Sequence, residues 1–550
     1  MATDLDVAFP VLSPSDLAAL TSRGRVRPVH SGETLYAEGD RSNSFFVVLD
    51  GAVEATESSR GTPHVLTTHR AGQFTGDVDV LSGRAILVTG RVVEDGSVLQ
   101  LTTSDLRRAV DELPDLGEKI VNAFLKRRTL ILADGFEGVR IIGSRFSPEA
   151  HQLRDFASRN AIPFRFMDVE TDQEAESILR ELGIAPSETP IVQGRAGQFH
   201  RKPSLQQFAN CAGLTAVLEP EHVYDLVIVG AGPAGLAASV YAASEGLDVL
   251  TADSLAAGGQ AGTSSRIDNY LGFPAGITGA DLTKNALLQA QRFGAQITVP
   301  TTVRSLGLDG GDRIVTLTDG TRLRSRCLLV ASGVAYRKLG VARFDEFDGA
   351  GIYYAATPME AGLCRGEEVV VVGGGNSAGQ AVVYLAGLAS HVHLIVRGND
   401  LGASMSRYLV DRVEGLKNVT ICRNTVVSGL EGDGHLDAVH LADGSPARKT
   451  ISTSSLFLFI GADPKTEWLR NCVELDRRGF VLTGTGLPVE TASNERWRAA
   501  GRAPFLLETS LPGVFAAGDV RSGSTKRVAA AVGEGAMAVS FVHAHIARPV

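Results

Sequence analysis

The order of apolar and polar positions divides the chain into three parts. Residues 1–130 begin with short apolar–polar alternations separated by turn-forming residues such as Glu38-Gly39-Asp40 and Leu49-Asp50-Gly51, and residues 45–49 form an apolar run of strand length. This pattern predicts a β-rich domain. The part ends in a stretch over residues 103–128 with apolar residues at helical spacing and basic residues in its last turn, which predicts a helix.

The second part, residues 134–217, alternates strands and helices. Apolar runs predict strands at residues 139–143 and 164–169 and a hairpin from 191–192 and 198–200. Amphipathic stretches predict helices at residues 148–160, 174–182 and 205–212. The resulting β-α-β-α-β-β-α order is typical of a small α/β domain of about 80 residues.

The third part begins at Tyr224 and places glycine at the junctions between strands and helices. The apolar run 224–229 leads directly into Gly230, Gly232 and Gly235, and a helical stretch follows. The first glycine allows a tight turn, the second lets a pyrophosphate approach the backbone, and the third lets helix and strand pack closely. Asp253 ends the next predicted strand, 23 residues after Gly230, where a carboxylate can accept a ribose hydroxyl.

A second copy of this fingerprint follows. Residues 368–372 predict a strand that runs into Gly373-Gly374-Gly375-Asn376-Ser377-Ala378 and then into a helix. The strand over residues 391–396 ends in Arg397, 24 residues after Gly373, where the first copy has its acid. An arginine there can hold a 2′-phosphate, so this site is expected to prefer NADPH to NADH, with Arg407 and Arg412 as candidate helpers. The alternative is that Arg397 is an ordinary solvated arginine.

Two such sites in one chain imply two dinucleotides, and the economical pairing is a flavin with a nicotinamide. Composition adds limits to this picture. The 550 residues include 61 glycines and only 5 cysteines, which excludes a disulfide scaffold and a cluster-rich iron–sulfur protein. The net charge of −9 argues against nucleic acid or a membrane as the main partner. The acidic start and the lack of a long apolar run predict a cytoplasmic protein, and no metal site is expected.

From about residue 222 onward the chain resembles the thioredoxin reductase family of flavoproteins. The resemblance is carried by Gly258-Gly259-Gln260, by Ile267-Asp268-Asn269-Tyr270-Leu271-Gly272-Phe273-Pro274, by Ala331-Ser332-Gly333, by Phe459-Ile460-Gly461 with Asp463-Pro464, and by residues 513–520. It implies an FAD domain of residues 222–337 and 462–550, an inserted NADPH domain of residues 338–461, and a homodimer. It also implies that Asp519 binds a ribitol hydroxyl and that Lys526-Arg527-Val528-Ala529 lie near the flavin. In this family the NADPH domain swivels, and Gly333 and Gly461 are the candidate hinges.

One departure from the family changes the expected mechanism. The family carries a Cys-Ala-Thr-Cys redox pair before the second fingerprint, whereas Ala355 and Pro358 stand at those places here. The closest thiol, Cys364, has no CxxC partner. The resemblance therefore implies an NADPH-dependent FAD oxidoreductase that passes electrons to an external acceptor such as a redoxin, a ferredoxin or a quinone. The alternative is a redox- or nucleotide-responsive regulatory flavoprotein with little turnover. No catalytic acid or base is assigned, because the hydride step demands none.

The first two parts resemble modules whose chemistry is altered. Residues 134–217 resemble a glutaredoxin/thioredoxin fold in which Ser147-Pro148-Glu149-Ala150 replaces the cysteine motif and Thr189-Pro190 takes the place of the cis-proline. Residues 1–130 resemble a cyclic-nucleotide-binding domain in which Asp77 replaces the ribose-binding glutamate, Ile86 occupies the place of the phosphate-binding arginine, and Arg84 stands two residues earlier. A docking or dimerisation module is the preferred interpretation. Cyclic-nucleotide binding assisted by Arg84 is the alternative.

The sequence therefore predicts a multidomain fold. It consists of an N-terminal β jelly roll of the cyclic-nucleotide-binding type, a thioredoxin-like α/β domain and two Rossmann-like α/β dinucleotide-binding domains. The expected cofactors are FAD and NADPH. The residues expected to bind them are Gly230, Gly232, Pro233, Ala234, Gly235, Asp253, Gly259, Gln260, Asn269, Ala331, Gly333, Gly373, Gly375, Asn376, Ser377, Ala378, Arg397, Gly518, Asp519, Arg527, Val528 and Ala529.

Overall fold

A computed structural model describes most of the chain and shows a multidomain architecture. The described residues are 4–40, 44–57, 64–76, 80–81, 85–133, 138–160, 162–194, 198–215, 218–219, 221–264, 266–267, 269–445 and 449–547. Within these ranges, no helix combines the length and the apolar character that a bilayer-spanning segment needs.

The N-terminal domain, predicted to end at about residue 130, is an antiparallel β structure flanked by helices, the last of which runs to Ala133. Its longest strands, Ser44–Glu57 and Thr89–Thr102, pair with each other, and Arg25–Val29 and His64–Arg70 lie on either side of them. The short strand Thr34–Tyr36 also pairs with Thr89–Thr102. The helices are Asp4–Ala8, Pro14–Thr21, Thr103–Glu112 and Pro114–Ala133.

Two local features of this domain differ from the sequence-based prediction. The helix expected over residues 103–128 is two helices, because Pro114 has no N–H to donate and disfavours helical backbone at Leu113, whose φ and ψ are −122° and 78°. The turn expected at Leu49-Asp50-Gly51 lies inside the strand Ser44–Glu57. There the pairing register shifts on both sides of Asp50, so the turn-forming residues produce a bulge instead of a chain reversal.

The middle domain (residues 134–217) has the predicted β-α-β-α-β-β-α order. Its four-stranded sheet pairs Val139–Gly143 in parallel with Phe164–Asp168 and antiparallel with Ile191–Gln193, which forms the predicted hairpin with Phe199–Arg201. The Thr189–Pro190 peptide bond is cis, as predicted. The helices are Pro148–Arg159, Gln173–Glu181 and Leu205–Cys211, with a 3-10 turn at Pro186–Glu188.

The first dinucleotide domain is built on one seven-stranded sheet. Val223–Val229 lies at its centre, in parallel between Val249–Ala252 and Arg322–Val330. Val514–Ala516, which lies almost 200 residues later in the sequence, pairs in parallel with Arg322–Val330, so the sheet draws on two separate stretches of chain. The other strands of this sheet are Gln296–Thr298, Val303–Asp309 and Asp312–Leu317, and the principal helices are Pro233–Ser244, Gly279–Arg292 and Val528–Ile546.

The second dinucleotide domain (residues 338–461) has a five-stranded parallel sheet. Glu368–Val372 is central and pairs with His391–Ile395 and Leu456–Leu458. Ile352–Tyr353 and Val419–Cys422 form the edges. An antiparallel sheet of Val426–Gly432, Leu436–Ala442 and Lys449–Ser452 packs beside it, and the helices are Phe344–Phe347, Pro358–Leu363, Asn376–Leu385 and Arg407–Glu414.

A two-stranded ribbon joins the two dinucleotide domains. Val334–Tyr336 leads out of the first domain and pairs antiparallel with Ala462–Pro464, which leads back. Gly333 and Gly461, the candidate hinges, stand next to these strands with φ values of 66° and 95°, a region that favours glycine. The two domains are therefore connected by a narrow, glycine-flanked crossing.

Candidate functional site

The first glycine turn has the tight geometry that its spacing predicts. The helix Pro233–Ser244 begins directly after Gly232, so its N-terminal N–H groups face the turn. A Cβ atom at Gly235 would lie 1.8 Å from the carbonyl oxygen of Gly230, and one at Gly230 would lie 2.2 Å from the carbonyl oxygen of Ala331. Both glycines therefore allow backbone segments to approach more closely than any side chain would permit.

The loop after the second strand lies against this turn. The Gly258 N–H donates to the carbonyl of Ala231 at 2.7 Å, and the Cα atom of Gly259 is the nearest atom to a hypothetical Cβ at Gly232, at 3.8 Å. The Gln260 amide donates to the carbonyl of Val334 at 2.9 Å. The structure thus brings the predicted residues of both loops to one place at the carboxyl ends of the strands, where open α/β sheets bind ligands.

Asp253 lies at the predicted strand end and already has protein partners. Its carboxylate accepts backbone N–H groups from Ala231 at 2.8 Å, Leu255 at 2.9 Å and Ala256 at 3.1 Å. A carboxylate offers about four acceptor positions. Asp253 therefore anchors the glycine turn and keeps capacity for one ribose hydroxyl.

The Asp519 carboxylate is largely desolvated and has no hydrogen-bond donor among the described residues. Its carboxylate makes no hydrogen bond or ion pair with the described residues, and burial raises the pKa of this carboxyl, opposed by the charge of Lys526. Gly518 beside it is held by a 2.7 Å bond from its N–H to Glu534. A largely desolvated carboxylate without a donor is costly. A ribitol hydroxyl would supply that donor, so these residues fit an FAD.

The remaining residues predicted for the first site differ in location, since some lie at a strand end or a helix N-terminus and one is exposed in a loop. Ala331 is buried at the strand end, and Arg527, Val528 and Ala529 form the N-cap and first turn of the helix Val528–Ile546. Asn269 is exposed, and its side chain makes no hydrogen bond with the other described residues. The long helix thus directs its N-terminus toward the site, whereas Asn269 is not brought to it by protein contacts.

The second glycine turn is braced by a loop that the sequence did not indicate. Gly373 has a φ of 150°, and the helix Asn376–Leu385 begins after Gly375, so Ser377 and Ala378 form its first turn. The Ser404 hydroxyl donates to the carbonyl of Gly374 at 2.8 Å. The Ser406 N–H donates to the side-chain oxygen of Asn376 at 2.7 Å. No motif spacing links residues 404–406 to the turn, and only the fold brings them together.

Arg397 is available for an anion. It is exposed at the end of the strand His391–Ile395 and makes no hydrogen bond or ion pair with other described residues. Arg407, in contrast, pairs with Asp411 at 2.9 Å. Both are exposed arginines near the second turn, and Arg397 is the one whose guanidinium has no competing acid.

The segment before the second turn carries two neighbouring tyrosines, of which Tyr353 is buried and Tyr354 is half-buried. Tyr354 stacks on Tyr336 of the ribbon with ring centroids 5.6 Å apart and an interplanar angle of 7°. Burial raises the pKa of both phenols, and it raises the pKa of Cys364 to about 11. All five cysteines are free. The site therefore presents aromatic groups, and the nearest thiol is held in its unreactive, protonated form.

In the N-terminal domain, Ile86 is 3% exposed and packs in an apolar cluster with Tyr36, Phe46 and Val48. An isoleucine buried in this way does not offer the charged hydrogen bonds that an arginine at this position would make to a phosphate. Asp77 and Arg84 lie outside the described residues, so the alternative route through Arg84 stays a prediction. In the described part of the chain, no three His, Cys, Asp or Glu side chains lie together in a way that could hold a metal ion.

Comparisons with known proteins agree with this architecture. Residues 224–535, more than half of the chain, match the family described as pyridine nucleotide-disulphide oxidoreductase, and residues 26–112 match the cyclic nucleotide-binding domain. A thioredoxin reductase from Mycolicibacterium smegmatis is 33% identical over 317 residues, which cover 58% of this chain and 94% of that protein. NADPH-dependent thioredoxin reductase 3 of Arabidopsis thaliana is 34% identical over 58% of this chain and 57% of its own length. The crystal structure of T. acidophilum thioredoxin reductase matches with a TM-score of 0.52 and 30% identity, over 59% of this chain and 99% of that one.

Proposed function

The chain belongs to the pyridine nucleotide-disulphide oxidoreductase family, and from this premise we propose that it transfers electrons from NADPH through FAD to an external acceptor without an internal redox disulfide. Membership makes the chain an NAD(P)H-dependent FAD oxidoreductase with thioredoxin reductase homologues, and it confirms FAD and NADPH as the predicted cofactors. The absence of a disulfide step and the external acceptor are the parts that we propose.

The observation that supports this proposal is the distribution of thiols. The five cysteines stand at positions 211, 327, 364, 422 and 472, so no two are close enough in sequence to form a CxxC pair. Cys327 and Cys364 are buried, and burial raises their pKa values to about 12 and about 11. Thiol–disulfide exchange needs an accessible thiolate. These two thiols do not supply one at neutral pH.

When bound, FAD accepts a hydride from the nicotinamide and releases electrons to the next acceptor. The chain's own residues bind and orient the reactants. The helices Pro233–Ser244 and Asn376–Leu385 begin directly after the glycine turns, so their N-terminal N–H groups would bind the two pyrophosphates. Asp519 would accept a hydrogen bond from a hydroxyl of the flavin side chain, and Arg397 would pair with the 2′-phosphate. No side chain is required to move a proton in the hydride step.

The number of electrons that the protein takes up tests the missing disulfide. Under anaerobic conditions the holoenzyme is expected to be reduced fully by about one equivalent of NADPH per flavin, because FAD alone stores two electrons. The measurement is a spectrophotometric titration of the flavin absorbance, repeated after alkylation of the exposed thiols with iodoacetamide. Alkylation should leave the end point unchanged. An end point near two equivalents would show a second two-electron centre, and a flavin that NADPH does not bleach would refute the proposal.

Arg397→Ala is expected to weaken NADPH selectively. Loss of a charge-assisted bond to the 2′-phosphate should raise the KM for NADPH roughly 10- to 100-fold, while the KM for NADH stays the same. Steady-state kinetics with an artificial electron acceptor and both nucleotides measures the effect. Arg365→Ala is the matched control, since Arg365 is exposed but precedes the strand Glu368–Val372, at the end of the sheet opposite the glycine turn. Equal losses with both nucleotides would show that Arg397 does not read the phosphate.

A regulatory role is the second candidate, and one observation favours it. The middle domain lacks cysteines at its motif and contacts the segment that would otherwise carry the redox pair, as the ring contact of His151 with Tyr353 shows. Rapid multiple turnover with a redoxin, a ferredoxin or a quinone would support the enzyme. Flavin reduction without turnover, accompanied by a change in affinity for a partner, would support the regulator.

A further inference from the structure

The middle domain presents one helix, Pro148–Arg159, to both dinucleotide domains. The helix has 12 residues and so spans about 18 Å. Ser147 caps its N-terminus by accepting the Ala150 N–H at 3.2 Å, and its buried face, which includes Leu153 and Phe156, packs in the core of the middle domain. The helix is therefore a rigid element whose two ends can be held by different neighbours.

The N-terminal end of the helix contacts the second dinucleotide domain. Phe146, just before the helix, stacks on His435 with ring centroids 4.6 Å apart. His151 lies 5.3 Å from the ring of Tyr353, and Pro148 and His151 lie against Gly349. These contacts join aromatic rings across the two domains and leave little room between them.

Charged groups lie close to the same contact. Glu360 is 4% exposed, and its carboxylate accepts the Thr357 N–H at 3.1 Å. Arg154 lies over the ring of Phe166 at 4.2 Å, and burial lowers the pKa of its guanidinium, an effect that the nearby Tyr353 and Glu360 side chains oppose. Two polar side chains, the buried Glu360 and the half-buried Arg154, one from each domain, therefore lie near this contact.

The C-terminal end of the helix contacts the first dinucleotide domain. The Arg159 guanidinium donates to the carbonyl of Gly259 at 3.0 Å, and the Asn160 amide donates to the carbonyl of Leu255 at 3.1 Å. Leu255 and Val299 of that domain join the apolar core of the middle domain. Since Gly259 and Leu255 belong to the loop beside the first glycine turn, this end of the helix is tied to the rim of the candidate FAD site.

We propose that the middle domain acts as a latch that holds the two dinucleotide domains in one relative orientation. The chain crosses between the two dinucleotide domains only through the ribbon of Val334–Tyr336 and Ala462–Pro464. Domains joined by such a narrow connection are expected to move relative to each other unless a further contact holds them. The helix Pro148–Arg159 ties one domain at each end, so any rotation about the ribbon must break the contacts of at least one end. The latch also covers Tyr353 and its neighbours from external molecules.

Distance measurement on the full-length holoprotein tests the latch without requiring any electron transfer. Spin labels on encoded non-natural amino acids at Asp309 and Lys417, both exposed and one in each dinucleotide domain, report the interdomain distance by double electron–electron resonance. The wild-type protein is expected to give one narrow distance. The triple variant Phe146→Ala, His151→Ala, Arg159→Ala should give a broader or two-component distribution. Loss of the charged hydrogen bond of Arg159 shifts such an equilibrium on the order of tenfold, and loss of the two ring contacts adds to this shift.

Matched variants keep this result interpretable. Arg180→Ala changes an exposed arginine of the same domain that lies away from the helix, and it should preserve the narrow distance. Phe146→Ala and Arg159→Ala alone each loosen one end and serve if the triple variant does not fold. An unchanged distribution in a folded triple variant or in both single variants overturns the latch. Because the readout is a distance, it stands or falls separately from the NADPH titration.

Discussion

Gly235→Ala is expected to yield a protein that purifies without FAD. The added Cβ would lie 1.8 Å from the carbonyl oxygen of Gly230 and 3.3 Å from a side-chain atom of Ile228. The first of these is a backbone atom in the turn itself, so the clash can be relieved only by moving the helix Pro233–Ser244 away from the strand Val223–Val229. That movement removes the N–H groups that face the pyrophosphate. The ratio of flavin to protein absorbance in the purified protein measures the effect.

Gly533→Ala is the matched control for this prediction. Gly533 lies in the helix Val528–Ile546, and a Cβ atom there would meet no atom within 4 Å. Alanine is the better helix former, so this variant should retain its full flavin content and gain about 0.4–1 kcal/mol of stability. If Gly235→Ala retained flavin as well as Gly533→Ala does, the turn at residues 230–235 would not be the pyrophosphate site.

Glu508→Ala is expected to lower the free energy of unfolding by about 3–5 kcal/mol, because it leaves the buried Arg502 guanidinium without its counter-ion. The Glu508 side chain is completely buried and that of Arg502 is 8% exposed. The Glu508 carboxylate accepts two hydrogen bonds from the Arg502 guanidinium, at 2.5 and 2.7 Å. It also accepts the backbone N–H groups of Phe505 at 3.0 Å and Gly513 at 2.7 Å. Its loss would leave all of these donors unsatisfied. Denaturant unfolding followed by intrinsic fluorescence gives the change directly.

No neighbouring group among the described residues of this cluster can take over the negative charge of the Glu508 carboxylate. Arg502 also lies 3.1 Å from His545, and Arg313 lies 3.3 Å from the same ring. Burial, followed by the charge of Arg313, lowers the pKa of His545 to about 4, so the imidazole is neutral at pH 7 and does not add a third cation. Glu508 is therefore the counter-ion of this cluster, and water has little access to take its place.

An exposed ion pair of the same composition is the control. Arg343 and Glu346 bond at the surface, with side-chain exposures of 44% and 42%. Solvent screens such a pair, so Glu346→Ala should leave the unfolding midpoint unchanged within error. A similar loss in both variants would indicate that burial is not the source of the Glu508 effect.

The elements and residues that the sequence predicts correctly share one property, which is that their signals are local. Apolar periodicity predicts the strand before Gly230 and the helix after it, and the place of Asp253 at a strand end follows from its spacing of 23 residues from Gly230. The order of strands and helices along the middle domain follows in the same way, whereas the cis bond at Pro190 was expected from the resemblance to the glutaredoxin/thioredoxin fold. The predicted helix over residues 103–128 failed at Pro114, where one residue's missing N–H outweighs the apolar pattern around it.

The candidate site was predictable where it consists of motif residues and not where it depends on distant partners. Ser404 and Ser406 brace the second turn from about 30 residues away. Tyr336 meets Tyr354 across the ribbon, and the Asp253 carboxylate accepts backbone N–H groups, among them that of Ala231 in the glycine turn. Hydroxyl, aromatic and carboxylate side chains occur throughout the chain, so their types alone do not show which of them will meet.

By itself, the sequence determined where the two glycine turns lie and that no two cysteines have CxxC spacing, from which the disulfide-free chemistry is proposed. These follow from residue type and spacing along a few consecutive positions, where backbone sterics and charge act directly. The tertiary structure alone decided that Arg159 reaches Gly259, that Phe146 meets His435 and that Glu508 is buried beneath Arg502. Such contacts join residues from 6 to 289 positions apart, and their free energy depends on burial and on which elements fold beside each other, which periodicity along the chain does not encode.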